Sequence, residues 1–180
     1  MIKYCLLLGI IGWGCLTAGS FKSTTGTCSE LVTTNLKMVE GFAGDKLSAA
    51  MANLPASSKT GNGEQYTRES FIQEKIAASK QMLADLRCIR TTPESYDIIS
   101  SAIAMQEFVI AVYETDYLHL AKMYDSGMPA DQILLFDKAI RNLHSSMFAL
   151  HYENLLRGEK LFAARSNIKV DEPIAQAFVK

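Results

Sequence analysis

An all-α, up-down-up-down four-helix bundle is the fold class this sequence predicts, and three observations lead to it. Residues 92–127 carry one long apolar seam, the connections flanking that stretch are short, and two cysteines sit where only antiparallel neighbours would bring them together. In the seam, Ile99, Ile103, Gln106, Ile110, Tyr113, Tyr117, Leu120 and Tyr124 follow at alternating steps of four and three, the spacing of a packed helix face. A second seam of Ile98, Ala102, Met105, Val109 and Val112 runs beside it and turns polar at Asp116 and His119. This helix therefore needs neighbours on two sides. Thr92 suits its N-cap, Pro93 its first turn and Gly127 a left-handed close. At 1.5 Å per residue it extends roughly 50 Å, so its partners must also be long.

Residues 1–19 read as a secretory leader. Lys3 precedes an apolar run from Tyr4 to Leu16, relieved only by glycines, and the small residues Thr17, Ala18, Gly19 and Ser20 follow. The run is shorter than the roughly 20 residues of a permanent membrane helix. Two cleavage patterns fit. Cleavage after Gly19 leaves a soluble chain beginning at Ser20. Alternatively, Gly14 before Cys15 resembles the lipobox of bacterial lipoproteins, in which residues 1–14 are removed and Cys15 carries the lipid anchor; Gly12 and Trp13 depart from that pattern. Residues 20–27, rich in Ser, Thr and Gly, form a flexible lead-in.

The bundle is expected over residues 28–164. Thr27-Cys28-Ser29-Glu30 reads as a capping box opening helix one, about Cys28 to Asn53, with Leu31, Leu36, Val39, Leu47, Ala50, Met51 and Leu54 as its apolar stripe. Gly41 and Gly44 can bend it, and Pro55 ends it. Pro55 to Gln65, rich in Ser, Gly and Asn, is the expected loop. Helix two, about Tyr66 to Ile89, turns Phe71, Ile72, Ile76, Met82, Leu83 and Leu86 inward. After the central helix, Pro129 opens helix four, about Pro129 to Ala164, with Ile133, Phe136, Ile140, Leu143, Met147 and Leu150 as its seam. Arg157, Lys160 and Arg165 place positive charge toward its negative end. The tail, 165–180, adds a short helix from Glu172 to Val179 capped by Asp171.

With the leader removed, Cys28 and Cys88 remain as an even pair in a chain bound for an oxidising compartment, so a disulfide is expected between them. One lies at the start of helix one and the other at the end of helix two, which demands antiparallel helices. Closing a loop of about 60 residues would contribute roughly 4 kcal/mol.

Function is less legible. The formal charge of −1 becomes −2 once Lys3 leaves with the leader, and no basic stripe marks a nucleic-acid partner. Docking the third and fourth helices antiparallel sets His119 opposite Leu135, His144 opposite Ile110 and His151 opposite Ile103, three heights that disfavour a shared metal. Asp116 and His119 resemble half of the Glu-x-x-His arrangement of di-iron bundles; the second half is missing, and Asp116 is expected to pair with Lys138. Gln106, the polar residue on the main seam, either sets register as a buried polar group or reaches the surface beside Glu107, the second being the preferred reading. No G-x-S-x-G, phosphate-cradling glycine loop or C-x-x-C-H occurs, so no cofactor or metal is called for. Tyr113, Tyr117 and His119 are candidates to line a small-ligand cleft, with core packing as the alternative. The expected protein is an exported, non-enzymatic helical binding protein of the cell envelope, periplasmic if bacterial and soluble or lipid-anchored, with no membrane span in its mature chain. It would serve an unidentified protein partner as an inhibitor, immunity factor or accessory subunit. The alternative is a carrier of a small apolar ligand or cofactor in the bundle core.

Overall fold

A computed structural model of the chain describes residues 24–54, 58–59 and 65–167. The leader, the candidate lipidation position Cys15 and the tail helix expected from Glu172 to Val179 lie outside the described residues, as does most of the Pro55 to Gln65 stretch.

The first expected helix is two. α1 (Thr24–Met38) and α2 (Asp45–Asn53) are separated by a turn in which Gly41 and Ala43 both have positive φ, 79° and 51°. Gly41 is required there twice over, because only glycine adopts that φ without strain and a Cβ would lie 2.7 Å from the Lys46 Cβ. The break drives Phe42 inward, so what reads as a possible bend becomes a corner with an aromatic side chain at its tip.

After α2, residues Ser58–Lys59 (β1) and Gln65–Tyr66 (β2) form a two-residue antiparallel ladder, Ser58 opposite Tyr66. α3 (Arg68–Cys88) follows at once. Thr67 caps it, accepting from the Ser70 amide at 3.0 Å.

The central rod is built from α4 (Tyr96–Val112), a π-helical segment (Tyr113–Tyr117) and α5 (Leu118–Asp125). Both seams read from sequence turn inward along it, buried from Ile98 and Ile99 to Leu120 except for the half-buried Ile103. It starts later than expected. Thr92 and Ser95 cap each other in a tight turn instead, the Thr92 amide donating to Ser95 Oγ at 2.9 Å and the Ser95 amide to the Thr92 carbonyl at 3.1 Å. Gly127, at φ 71°, closes the rod as predicted, with the Met128 amide reaching back to the Met123 carbonyl at 3.1 Å. The 30-residue rod is long and apolar enough to cross a membrane by length and composition alone, and half of its most apolar window is buried inside the protein. Pro129 then caps α6 (Ala130–Arg165), the longest helix described.

Ion pairs fix α3 antiparallel to the central rod: Arg87 with Glu107 at 2.7 Å, Lys80 with Glu114 at 2.6 Å and Arg68 with Asp125 at 3.5 Å descend in order. Asp125 also caps α3, its two oxygens accepting from the Arg68 and Glu69 amides at 3.3 and 3.0 Å. Arg68 ties in α2 as well, donating from Nε to the Met51 carbonyl at 2.9 Å and from a terminal nitrogen to that of Leu54 at 2.5 Å. One buried guanidinium thus closes the last turn of α2, the first of α3 and the end of α5.

Two expectations need correction here. The Cys28–Cys88 bridge is not formed: Cys88 is a free, exposed thiol. It follows the buried Leu86 by two residues, about 200° around the helix, and so faces away from the core. The side chain of Cys28 lies outside the described residues. Gln106 does not reach the surface either. It is fully buried and donates to Asn35 Oδ1 of α1 at 2.8 Å, leaving Asn35 Nδ2 and Gln106 Oε1 without hydrogen-bond partners among the described residues. Gln106→Leu alone strands the Asn35 amide and should lower stability by about 1–3 kcal/mol, whereas Asn35→Leu with Gln106→Leu should be close to neutral. Urea midpoints of the two singles and the double test this; a double variant as unstable as the sum of the singles would show that the two amides are not coupled.

Candidate functional site

The last helix turns one face to the core and another to solvent. Its inner face runs Ile133, Asp137, Ile140, His144, His151, Leu155, Gly158 and Phe162, a 3.6-residue repeat that includes polar groups. Each polar group on it has a partner. Asp137, 4% exposed, accepts from Ser48 Oγ of α2 at 2.6 Å and pairs with Arg141 at 3.2 Å, and Arg141 also bonds Asp45 in the first turn of α2. His144 Nε2 lies 2.6 Å from Asp116 Oδ2 in the π-helical segment. His151 stacks on Phe108, ring centroids 5.0 Å apart, and Phe108 also meets the edge of His144.

Beneath this line lies an aromatic cluster centred on Phe42, whose ring is 4.9 Å from Phe148, 5.2 Å from Tyr113 and 5.8 Å from Tyr117. Burial pushes both tyrosine hydroxyls up from their ordinary pKa. The Asp137 carboxylate adds to that at Tyr117, opposed by the Ala43 backbone and Arg141.

The residues singled out for a ligand cleft are only partly brought together. Tyr113 and Tyr117 touch, at 5.6 Å, and are packed into the core. His119 is exposed and turned toward Phe136 on α6, 5.1 Å away. A shallow depression of about 510 Å³ near the start of α4 is lined by Thr91, Thr92, Pro93, Tyr96, Asp97 and Arg165, and by none of those three. Among the described residues, no three His, Cys, Asp or Glu side chains gather as a metal set.

Asp116 meets His144, not Lys138, and His151 meets Phe108, not Ile103. The reason is directional. Helical side chains lean toward their own N-terminus, so across an antiparallel pair the tips that touch belong to residues about a turn beyond those whose Cα atoms are level.

His151 supports a pH prediction. Burial lowers its pKa, so its contribution to stability is complete above about pH 6.5 and is lost as pH falls through the lowered folded value. The difference in melting temperature between wild type and His151→Gln should therefore shift in favour of the variant on acidification from about pH 7.5 to 5. A shift toward the wild type would mean that His151 is stabilised in its charged form.

The outer face of α6 was not anticipated. Leu143, expected on the buried seam, is 71% exposed, and Met147 and Leu150 are about half exposed. With Phe136, Ala139, Asn154, Arg157 and Leu161 they form a continuous stripe. Fold and site together define a mostly helical, bundle-like all-α protein whose last helix turns a mainly apolar face with a few paired polar groups toward the core and leaves a second apolar stripe exposed. No family model matches the chain, and comparison with curated proteins and with solved structures returned no match either.

Proposed function

We propose that the protein is exported to the cell envelope and acts there by binding another protein through the outer face of α6, without chemistry of its own. One observation carries this reading. Large apolar side chains at Leu143, Met147, Leu150 and Leu161 are displayed along one helix face, where a solvated helix would carry charge. Two of the polar groups weighed from the sequence for a metal support it from the other side, because Asp116 and His144 are engaged with each other in a contact that joins helices. Export rests on the leader pattern of residues 1–19, with an inhibitor, immunity factor or accessory subunit as the roles such a module would fill. The alternative of a small-ligand carrier has less support, since Tyr113 and Tyr117 are filled in by Phe42 and by each other.

The test is a photo-reactive residue placed at Leu143 in the full chain expressed with its leader, with the exposed Glu74 position of α3 as the control. Covalent adducts at Leu143, absent at Glu74 and lost with Leu150→Glu, are expected. Equal labelling at both positions would remove the basis for the proposal.

A further inference from the structure

α2 is tied to the rest of the protein by polar groups, in an arrangement that lets it come off. Asp45 bonds Arg141, Ser48 Oγ donates to Asp137 at 2.6 Å, and the Met51 and Leu54 carbonyls accept from Arg68 at 2.9 and 2.5 Å, so a tie falls at every third residue. Apolar burial by the helix itself adds less. Two of its nine residues, Leu47 and Met51, are buried, against eight of the 17 in α4. A helix of nine residues is also too short to persist on its own, so α2 keeps its shape only while the ties hold.

We propose that residues 40–54, the Phe42 corner and α2 together, are a strap that lifts as one unit from α6 and the π-helical segment while α3, the central rod and α6 stay folded. What each tie leaves behind makes this possible. Asp137 is also paired with Arg141 at 3.2 Å, both on α6, and Arg68 with Asp125 at 3.5 Å, on α3 and α5. Lifting α2 therefore wets two ion pairs that remain closed and strands no buried charge. Strain at the corner favours release, because Ala43 is held at φ 51°, a left-handed conformation that a residue with a Cβ adopts only at a cost. The Lys46–Glu40 ion pair, at 2.6 Å, lies wholly within the strap and travels with it. Phe42 is the pin. Its ring sits among those of Phe108, Tyr113, Tyr117 and Phe148, and its withdrawal uncovers the two buried tyrosines as an aromatic face separate from the outer stripe of α6.

Native-state hydrogen exchange on the full chain tests this. Relative to their intrinsic rates, the amides of Ala49 to Asn53 are expected to exchange at least about 100-fold faster than those of α4. The Phe42 and Gly44 amides, which donate to the Val39 and Gly41 carbonyls, should exchange in the same event. Ser48→Ala cuts one tie and leaves Asp137 on Arg141, so it should speed exchange of all these amides about tenfold while leaving α3 and α4 unchanged. Amides of α2 as slow as those of α4 overturn the inference, since the segment then opens only when the whole chain does. A Ser48→Ala chain in which α3 and α4 speed up as much as α2 also overturns it, because the strap then has no boundary. One in which α2 is unmoved does the same, because the polar ties are then not what holds it.

Discussion

Arg68→Met should lower unfolding stability by about 2–4 kcal/mol, chiefly the cost of leaving two helix-end carbonyls without their donor. Arg68 is 8% exposed, and its guanidinium serves the Met51 and Leu54 carbonyls at the end of α2 together with Asp125, while lying over the Tyr124 ring at 4.9 Å. Methionine fills much of the same volume but supplies no donor, so two helix-end carbonyls lose their partner at once. Asp125 keeps its role on the α3 amides, so the loss should be concentrated at the α2 junction. Hydrogen exchange should show α2 opening first, and a variant whose α2 amides remain as protected as those of α4 would mean that the junction is held by something else.

Gly158→Val should be of comparable size, about 3 kcal/mol or more, through overpacking. At Gly158 a Cβ would lie 2.8 Å from the Ile98 Cα and 3.0 Å from the Asp97 carbonyl oxygen, and these are backbone atoms that cannot swing aside. Gly158→Ala is the more telling variant. An alanine in mid-helix ordinarily gains about 1 kcal/mol over glycine, whereas here the close crossing of α6 on α4 should reverse the sign. Thermal denaturation distinguishes the two. A raised melting temperature for Gly158→Ala would show that the helices separate easily at that point, and with it the placement of the inner face of α6 would be in doubt.

The two junctions differ in how far they can be read from the chain. Nothing in the local sequence marks Gly158 as an approach site, since a lone glycine in a helical pattern is commonly tolerated for other reasons. Arg68 begins a helix, where position and charge alone suggest a solvated side chain. Its role requires three helix ends to converge, which no pattern along the chain encodes. The Cys28–Cys88 expectation failed for a related reason. Parity and compartment favour pairing, but the direction of a thiol depends on the rotation of its helix, and Leu86 takes the inward face of α3.

The α6 stripe is the most consequential of these differences. The steps from Ile133 through Leu143 to Leu150 follow a repeat near 3.5, which drifts around a straight helix by about 20° per heptad. The buried face follows 3.6 instead and takes in Asp137, His144 and His151. Hydropathy alone assigns such residues to solvent, and they turn inward because Ser48, Arg141, Asp116 and Phe108 meet them there.

Local chemistry along the chain settled the helical class, both seams of the central rod, its Gly127 stop and the Pro129 start of α6, because periodicity and capping involve neighbours within a turn or two. Tertiary structure decided the corner at Phe42, the burial of Gln106 on Asn35, the direction of Cys88 and which side of α6 faces out. Each of these depends on what a distant segment presents: a polar group is buried only when a partner meets it, and an apolar one stays in water when the inward positions are already taken.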